Sequence, residues 1–213
     1  MEKSREALEI AKENHFMFAT CGISPNDIEE YVENSLEQIE KIAQNEKIVA
    51  IGEIGLDYYW NKENKELQKE LFVKQIEIAN KLNKPIVIHT RDAAVDTIEI
   101  LKKHPVNKKG IFHCCPLNQE LIKEGLKLGF YISFSGNITF KNAKSEGCVS
   151  LVPLDKILIE TDCPYLSPEP NRGKRNDSKN VKYVAAKIAE IKGLSLEEIA
   201  KITYENANNV FNI

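Results

Sequence analysis

Short apolar runs alternate with helix-period segments along most of the chain, and this alternation limits the folds that it can adopt. The runs are rich in valine, isoleucine and phenylalanine and are short enough for strands buried on both faces; they span residues 16–23, 48–54, 85–89, 110–114, 130–134 and 157–159. Helices are predicted over residues 27–43, 65–82, 92–103, 118–128, 179–192 and 196–210. The pattern predicts a parallel α/β fold with right-handed crossovers.

Two architectures satisfy this alternation, an open doubly wound sheet and a closed barrel. A doubly wound nucleotide-binding fold usually carries a glycine-rich loop after its first strand, and neither G-x-G-x-x-G nor G-x-x-x-x-G-K-[ST] occurs here. Several strands end instead in a carboxylate or an imidazole, at the face where barrel enzymes place their chemistry. We therefore expect one domain over residues 1–213, a TIM-type (β/α) barrel of the metal-dependent hydrolase kind.

Charge and composition exclude some classes of protein. The 29 lysines and arginines against 32 aspartates and glutamates give a net charge of −3, which provides no overall electrostatic case for binding nucleic acid and leaves only a local basic groove open. No apolar run reaches membrane-spanning length, and the charged start is not typical of a secretory signal. Five cysteines without a C-x-x-C pair favour reduced thiols in a cytoplasmic protein.

Two histidines and two acidic residues follow buried strands at similar positions. His89 and His113 end the runs IVIH and IFH, while Glu53 and Asp162 follow the runs VAIG and ILIET. Burial of such groups without a cation or a partner is unfavourable, so the sequence predicts a metal site at the carboxyl ends of the strands. The alternative is that salt bridges, for instance to Arg91 or Lys174, hold the two carboxylates.

Four motifs around these residues resemble the successive signatures of the TatD family of metal-dependent deoxyribonucleases, in the order in which that family has them. They are GEIGLDY at residues 52–58, PIVIHTRDA at 85–93, FHC at 112–114 and IETDCPYL at 159–166. The similarity extends from about residue 4 to the C-terminus and includes RGKRN at residues 172–176.

The resemblance implies a divalent-metal phosphodiesterase, a 3′ to 5′ DNase that acts on single-stranded DNA or on 3′ ends. Glu53 would bridge two ions of magnesium, manganese or zinc, and His89 and His113 would complete one of the two sites. Asp162 would belong to the other site and accept the proton of the attacking water. Asp57, Asp92 and Glu160 are interpreted as groups that orient ligands or fix loops.

This chain departs from the family pattern in three places. Family members begin with a strand that carries an H-x-H pair, and the four histidines here, at positions 15, 89, 104 and 113, contain no such pair. Ser24 and Asn26 stand where the family commonly has histidines, and residues 115–117 replace its usual aromatic, hydroxyl and glycine. We therefore expect an N-terminally incomplete barrel with about six of eight strands, one incomplete metal site, reduced activity and self-association through open strand edges.

Two further groups of residues have two interpretations each. The basic cluster of Arg172, Lys174 and Arg175 lies just beyond Asp162 and either contacts phosphate groups or forms a solvated loop. Arg91 is a further candidate contact for substrate. The aromatic run at residues 58–60 either stacks on the bases of a single strand or packs against the protein.

Two alternatives to a nuclease stay open at this point. The chain could be a non-catalytic remnant that serves as a binding or assembly module, or a metal-dependent hydrolase of C–N bonds on the same scaffold. Both are compatible with the strand–helix alternation, whereas the set of motifs fits the nuclease family better.

Overall fold

A computed structural model describes residues 2–213, which form strands and helices in regular alternation. The strands are β1 (Ala19–Cys21), β2 (Ile48–Asp57), β3 (Ile86–Arg91), β4 (Gly110–Phe112), β5 (Tyr131–Phe134) and β6 (Ile157–Ile159). The helices are α1 (Glu2–Glu13), α2 (Ser35–Ala43), α3 (Lys65–Lys81), α4 (Ala94–Lys103), α5 (Gln119–Lys127), α6 (Ser145–Leu151), α7 (Val181–Lys192) and α8 (Leu196–Phe211).

The strands pair in chain order, β1-β2-β3-β4-β5-β6, and pair in parallel, as parallel crossovers require. The predicted α/β fold with a parallel sheet is therefore confirmed. Strands β1 and β6 stand at the two ends of this order, and the expected self-association through them stays a prediction. Within residues 2–213, no helix combines the length and the apolar character needed to cross a membrane.

The chain divides into two compact units. The first comprises Met1–Ile111 with Val210–Ile213, and the second comprises Phe112–Asn209. The expectation of a single domain over residues 1–213 stays a prediction.

Strand β2 is the centre of the first unit, where it pairs with β1 on one side and β3 on the other. Its core residues, such as Ile51 and Ile54, are fully buried. The pairing with β3 shifts register between Gly52 and Ile54, so the ladder is irregular at Glu53. Irregularities of this kind re-aim side chains, and this one lies at a predicted metal ligand.

Two buried glutamines on α3 hold the loops that follow β1 and β2. The Gln75 side chain accepts a hydrogen bond from the Ile23 N–H (2.6 Å) and donates one to the Ile23 carbonyl (3.1 Å). Gln68 does the same for Asp57, accepting from its N–H at 2.8 Å and donating to its carbonyl at 3.2 Å. An amide side chain can satisfy a donor and an acceptor at once, so these loops can be buried without unpaired backbone groups.

The second unit contains β5 and β6, which pair through Ile132–Ile157 to Phe134–Ile159. The turn after β5 approaches the loop after β6 very closely at Gly136, where a Cβ atom would lie 1.9 Å from the Leu166 carbonyl oxygen. Only glycine can occupy this position without displacement of the backbone. Asn206 on α8 donates to the carbonyls of Leu154 and Ile157 at 2.8 Å each, which anchors the start of β6.

Several predicted element boundaries differ from the structure. The helix predicted over residues 27–43 was wrong in its first half, where a 3-10 helix at Pro25–Glu30 precedes an extended Tyr31. Ser24 caps that short helix by accepting from the Asn26 N–H at 3.2 Å, a local contact that competes with a continuous α-helix. The strand predicted over residues 16–23 contains only Ala19–Cys21; Phe16 is 67% exposed, and the Met17 N–H donates to the Asn14 carbonyl at 3.0 Å in a turn before the strand.

We expect Gln75→Leu to lower the free energy of unfolding by about 1–3 kcal/mol, because it leaves the buried N–H and carbonyl of Ile23 unpaired. Urea denaturation measures this difference. Gln44→Leu, at an exposed position after α2, is the matched control and should change stability little. Equal effects of the two substitutions would contradict the role assigned to Gln75.

We expect Ser195→Ala to lower the free energy of unfolding by about 1 kcal/mol through loss of the capping box at the start of α8. The Glu198 N–H donates to the Ser195 hydroxyl at 3.1 Å, and the Ser195 N–H donates to the Glu198 carboxylate at 2.8 Å, which are the two reciprocal bonds of a capping box. Thermal unfolding beside an exposed control, Ser150→Ala, tests it; an unchanged melting temperature of Ser195→Ala would contradict the assignment.

Candidate metal centre

The first unit places Glu53 and His89 side by side, within β2 and β3 rather than after them as predicted. The His89 Nδ1 atom lies 3.9 Å from the Glu53 Oε2 atom. In the ladder, His89 is the partner of Gly55, two residues beyond Glu53. The histidine side chain is 17% exposed and that of the glutamate 41% exposed, so the pair lies where an ion could reach both groups.

The buried carboxylate of Asp57 orients His89. The His89 Nε2 atom donates to Asp57 Oδ2 at 2.9 Å, while Asp57 Oδ1 accepts from the N–H groups of Tyr59 and Trp60 at 2.9 Å each. Burial raises the pKa of Asp57, but these hydrogen bonds outweigh it and hold the pKa below its usual value. With Nε2 committed to the ionised carboxylate, Nδ1 is the nitrogen of His89 that can ligate a cation.

Gln68 in turn fixes Asp57. Its Nε2 atom donates to the carbonyls of both Asp57 (3.2 Å) and Asn61 (2.8 Å), so one side chain spans the turn that follows β2. Sequence reasoning missed this residue. The available signal was the position of Gln68 and Gln75 on the same helical face as the buried Leu71 and Phe72.

The second unit brings together His113, Glu160 and Asp162. One ligand atom of each lies within 4.8 Å of the others. The side chain of His113 is only 11% exposed. These residues come from the ends of β4 and β6, so two parallel strands supply the cluster.

Glu160 orients His113 as Asp57 orients His89. The His113 Nδ1 atom donates to Glu160 Oε1 at 3.0 Å, and the Ser133 hydroxyl donates to Glu160 Oε2 at 2.5 Å. Burial raises the pKa of Glu160, but the contacts with His113 and Ser133 outweigh it and lower that pKa. Because both carboxylate oxygens are engaged, Glu160 is better placed to position His113 than to ligate an ion, which leaves Nε2 of His113 as the ligating atom.

Asp162 lies in a loop held by Asn176. The Asn176 side chain donates to the carbonyls of Thr161 (2.7 Å) and Tyr165 (2.6 Å) and accepts from the Asn180 side chain (2.9 Å). The backbone of Asp162 itself is left-handed, with φ = 56°. A non-glycine residue is held in this strained region only where its surroundings determine it, as they do here, and such positions cluster at functional sites. Sequence reasoning did not predict the role of Asn176.

The predicted substrate contacts lie in different surroundings. Arg91 follows His89 by two residues, and its guanidinium lies 4.0 Å from the centre of the Tyr59 ring. Arg172 lies 3.7 Å from the centre of the Phe140 ring. Lys174 and Arg175 are exposed in the same loop as Arg172. Asp92, interpreted from the sequence as a group that fixes a loop or a ligand, is exposed with φ = 54°.

The donor atoms in each unit fit a divalent cation. Imidazole nitrogens and carboxylate oxygens suit magnesium, manganese and zinc, and each unit supplies one imidazole and at least one carboxylate beside it. Each imidazole is also hydrogen-bonded to a second carboxylate, as is usual for histidines that bind metal ions; that of Asp57 is fully buried and that of Glu160 is 20% exposed.

Comparison with known proteins agrees with these features. The sequence matches the protein family described as TatD related DNase over residues 1–212. It is 48% identical over 209 residues to YabD of Bacillus subtilis (strain 168), an uncharacterized metal-dependent hydrolase, covering 97% of this chain and 82% of the relative. It is 44% identical over 197 residues to YcfH of Escherichia coli (strain K12), also an uncharacterized metal-dependent hydrolase, covering 91% of this chain and 73% of the relative.

Solved structures give the same result. The crystal structure of YJJV, a TatD homologue from Escherichia coli K12, matches with a TM-score of 0.94 at 27% identity and covers 100% of this chain and 83% of that one. A TatD family hydrolase from Entamoeba histolytica shares the fold at 23% identity, with a TM-score of 0.87 over 99% of this chain and 81% of that one. The expected α/β fold of the TIM-barrel kind is thereby confirmed, and the chain belongs to the TatD family of metal-dependent hydrolases.

Proposed function

We propose that this protein is a divalent-metal-dependent phosphodiesterase that removes nucleotides from the 3′ end of single-stranded DNA. The observation that carries the proposal is the pair of strand-end histidines, His89 and His113, each hydrogen-bonded to an ionised carboxylate and each beside a second acidic side chain. The description of the matching family as related to DNases supports DNA as the substrate.

Glu53 and His89 in the first unit, and His113 and Asp162 in the second, are the metal ligands that we propose. Glu53 and His89 lie within β2 and β3, whereas His113 and Asp162 follow β4 and β6. A divalent ion bound by such groups supplies Lewis acidity to the phosphodiester that is being cleaved. Magnesium, manganese and zinc are the candidate ions.

Asp162 is the residue that we assign as general base. In hydrolysis, a water oxygen forms a bond to phosphorus, the bond from phosphorus to the leaving oxygen breaks, and the proton of the water passes to the Asp162 carboxylate. The left-handed backbone of Asp162 and the contacts of Asn176 fix where that carboxylate lies. A base in a fixed position needs little reorganisation when it accepts a proton.

The arginines and the lysine near these residues are suited to phosphate binding. Arg91 extends from the end of β3, and the loop that follows Asp162 contains Arg172, Lys174 and Arg175. Guanidinium groups donate two parallel hydrogen bonds to phosphate oxygens. With a net charge of −3, the protein would have to attract DNA through local basic residues such as these rather than through its overall charge.

We expect His89→Ala and His113→Ala each to lower metal-dependent cleavage of single-stranded DNA by roughly 10²-fold or more, because each removes a proposed ligand to a metal ion that would stabilise charge in the transition state. Release of nucleotides from a 3′-labelled oligonucleotide in Mg²⁺ or Mn²⁺ measures this, and EDTA should abolish it. His15→Ala, which changes an exposed histidine, is the control and should retain activity. Cleavage that resists EDTA and both substitutions would refute the proposal.

We expect Asp57→Asn and Glu160→Gln to weaken binding of Mn²⁺ by roughly 10- to 100-fold. An amide can accept the imidazole N–H but lacks the negative charge of the carboxylate. Titration calorimetry measures the affinity, and circular dichroism reports whether each variant folds. Asp155→Asn, at an exposed position before β6, is the control. Folded variants that bind Mn²⁺ as tightly as the wild-type chain would show that these carboxylates have no part in metal binding.

A further inference from the structure

The three aromatic residues that follow β2 differ in their exposure to solvent. Tyr58 is half-buried, and its hydroxyl donates to the Asp96 carboxylate at 2.6 Å. Tyr59 and Trp60 are 46% and 65% exposed. Packing therefore explains Tyr58, whereas it leaves the exposed faces of Tyr59 and Trp60 without a structural reason.

Arg91 completes a cluster with these two rings. Its guanidinium lies 4.0 Å from the centre of the Tyr59 ring and 5.5 Å from that of Trp60. The two rings are 4.7 Å apart, centre to centre, with their planes at 89°. We call Tyr59, Trp60 and Arg91 the aromatic platform. A lone exposed aromatic residue needs no explanation, but two beside an arginine form a surface with both π faces and positive charge.

Asp57 ties the aromatic platform to the candidate metal ligand His89. One oxygen of its carboxylate accepts the N–H groups of Tyr59 and Trp60, and the other accepts the Nε2–H of His89. Arg91 is the partner of Asp57 in the β2–β3 ladder, and its carbonyl accepts from the Tyr58 N–H at 2.9 Å. The platform is thus fixed relative to His89 through a single buried side chain.

We propose that the aromatic platform binds a nucleobase of the single-stranded DNA substrate by stacking on Trp60, with the perpendicular Tyr59 ring beside that base, while Arg91 contacts the adjoining phosphate. This inference rests on the proposed function and adds a position for a base. A stacked base fits because every nucleobase has a π face, so the contact tolerates any sequence, as a non-specific exonuclease requires. Contact with phosphate alone would account for Arg91 but not for two exposed rings.

The chain has one tryptophan, so its fluorescence reports on the platform directly. We expect a phosphorothioate-linked oligothymidylate, used to limit cleavage, to quench Trp60 emission in a saturable manner in Mg²⁺ buffer. An abasic oligonucleotide of the same length and charge should bind more weakly and quench little, because it offers phosphates without bases. Equal quenching by the two oligonucleotides would overturn the assignment of a base to this surface.

Substitutions separate stacking from other causes. In fluorescence anisotropy with a labelled oligothymidylate, Trp60→Ala should raise the dissociation constant roughly 5- to 150-fold, the range expected for loss of one base–aromatic stack. Trp60→Phe should restore most of the affinity because it keeps a π face. Tyr204→Ala removes a tyrosine on α8 that is 69% exposed, and this matched control should leave the dissociation constant unchanged.

The outcomes distinguish this inference from the proposed function. Tight binding and metal-dependent cleavage that are unaffected by Trp60→Ala would overturn the platform and leave the nuclease assignment intact. If Trp60→Ala lowers the affinity for the abasic oligonucleotide as much as that for oligothymidylate, the platform would also be overturned, since Trp60 would then act on the DNA backbone alone. A protein that neither binds nor cleaves DNA would overturn both proposals.

Discussion

The buried carboxylate of Asp57 is the interaction on which the chemistry of the first unit depends. A charged group without solvent is unfavourable unless hydrogen bonds compensate for the lost hydration. Asp57 receives three such bonds, one from His89 and two from the backbone of the turn after β2. The hydrogen bonds that compensate the charge of Asp57 therefore include the one that orients the metal ligand His89. A change that removes the carboxylate would also disturb the position of His89.

In the second unit, different residues compensate the charge of a carboxylate that orients a histidine. Glu160 holds His113, and its second oxygen is satisfied by the Ser133 hydroxyl instead of by backbone N–H groups. A serine on the adjacent strand β5 is available because β5 and β6 pair in parallel with Ser133 opposite Leu158. In both units the histidine follows a buried apolar run, and a carboxylate in or just after another strand fixes which nitrogen carries the proton.

The parts of the fold that sequence could predict are those with a repeating pattern. Buried parallel strands read as continuous apolar runs, so six strands were found, and Ile157–Ile159 has the predicted bounds. Residues that satisfy single backbone groups leave no periodic signal, and for that reason the roles of Gln68, Gln75 and Asn176 were missed. The error over residues 27–43 has the same origin, since a local cap at Ser24 overrides a favourable helical pattern.

The candidate ligands also followed from the sequence, because a polar residue at the end of an apolar strand is conspicuous. Their assignment as a joint ligand set stays a prediction. The contacts that orient each histidine could be identified only from the structure. These contacts persist over a wide range of pH. Asp57 and Glu160 both have lowered pKa values, so the stability that they contribute is present above the usual carboxyl pKa and is lost only as the pH falls through the lowered values. Near neutral pH both carboxylates are ionised, and the orientation of the two imidazoles is therefore set before any ion or substrate arrives.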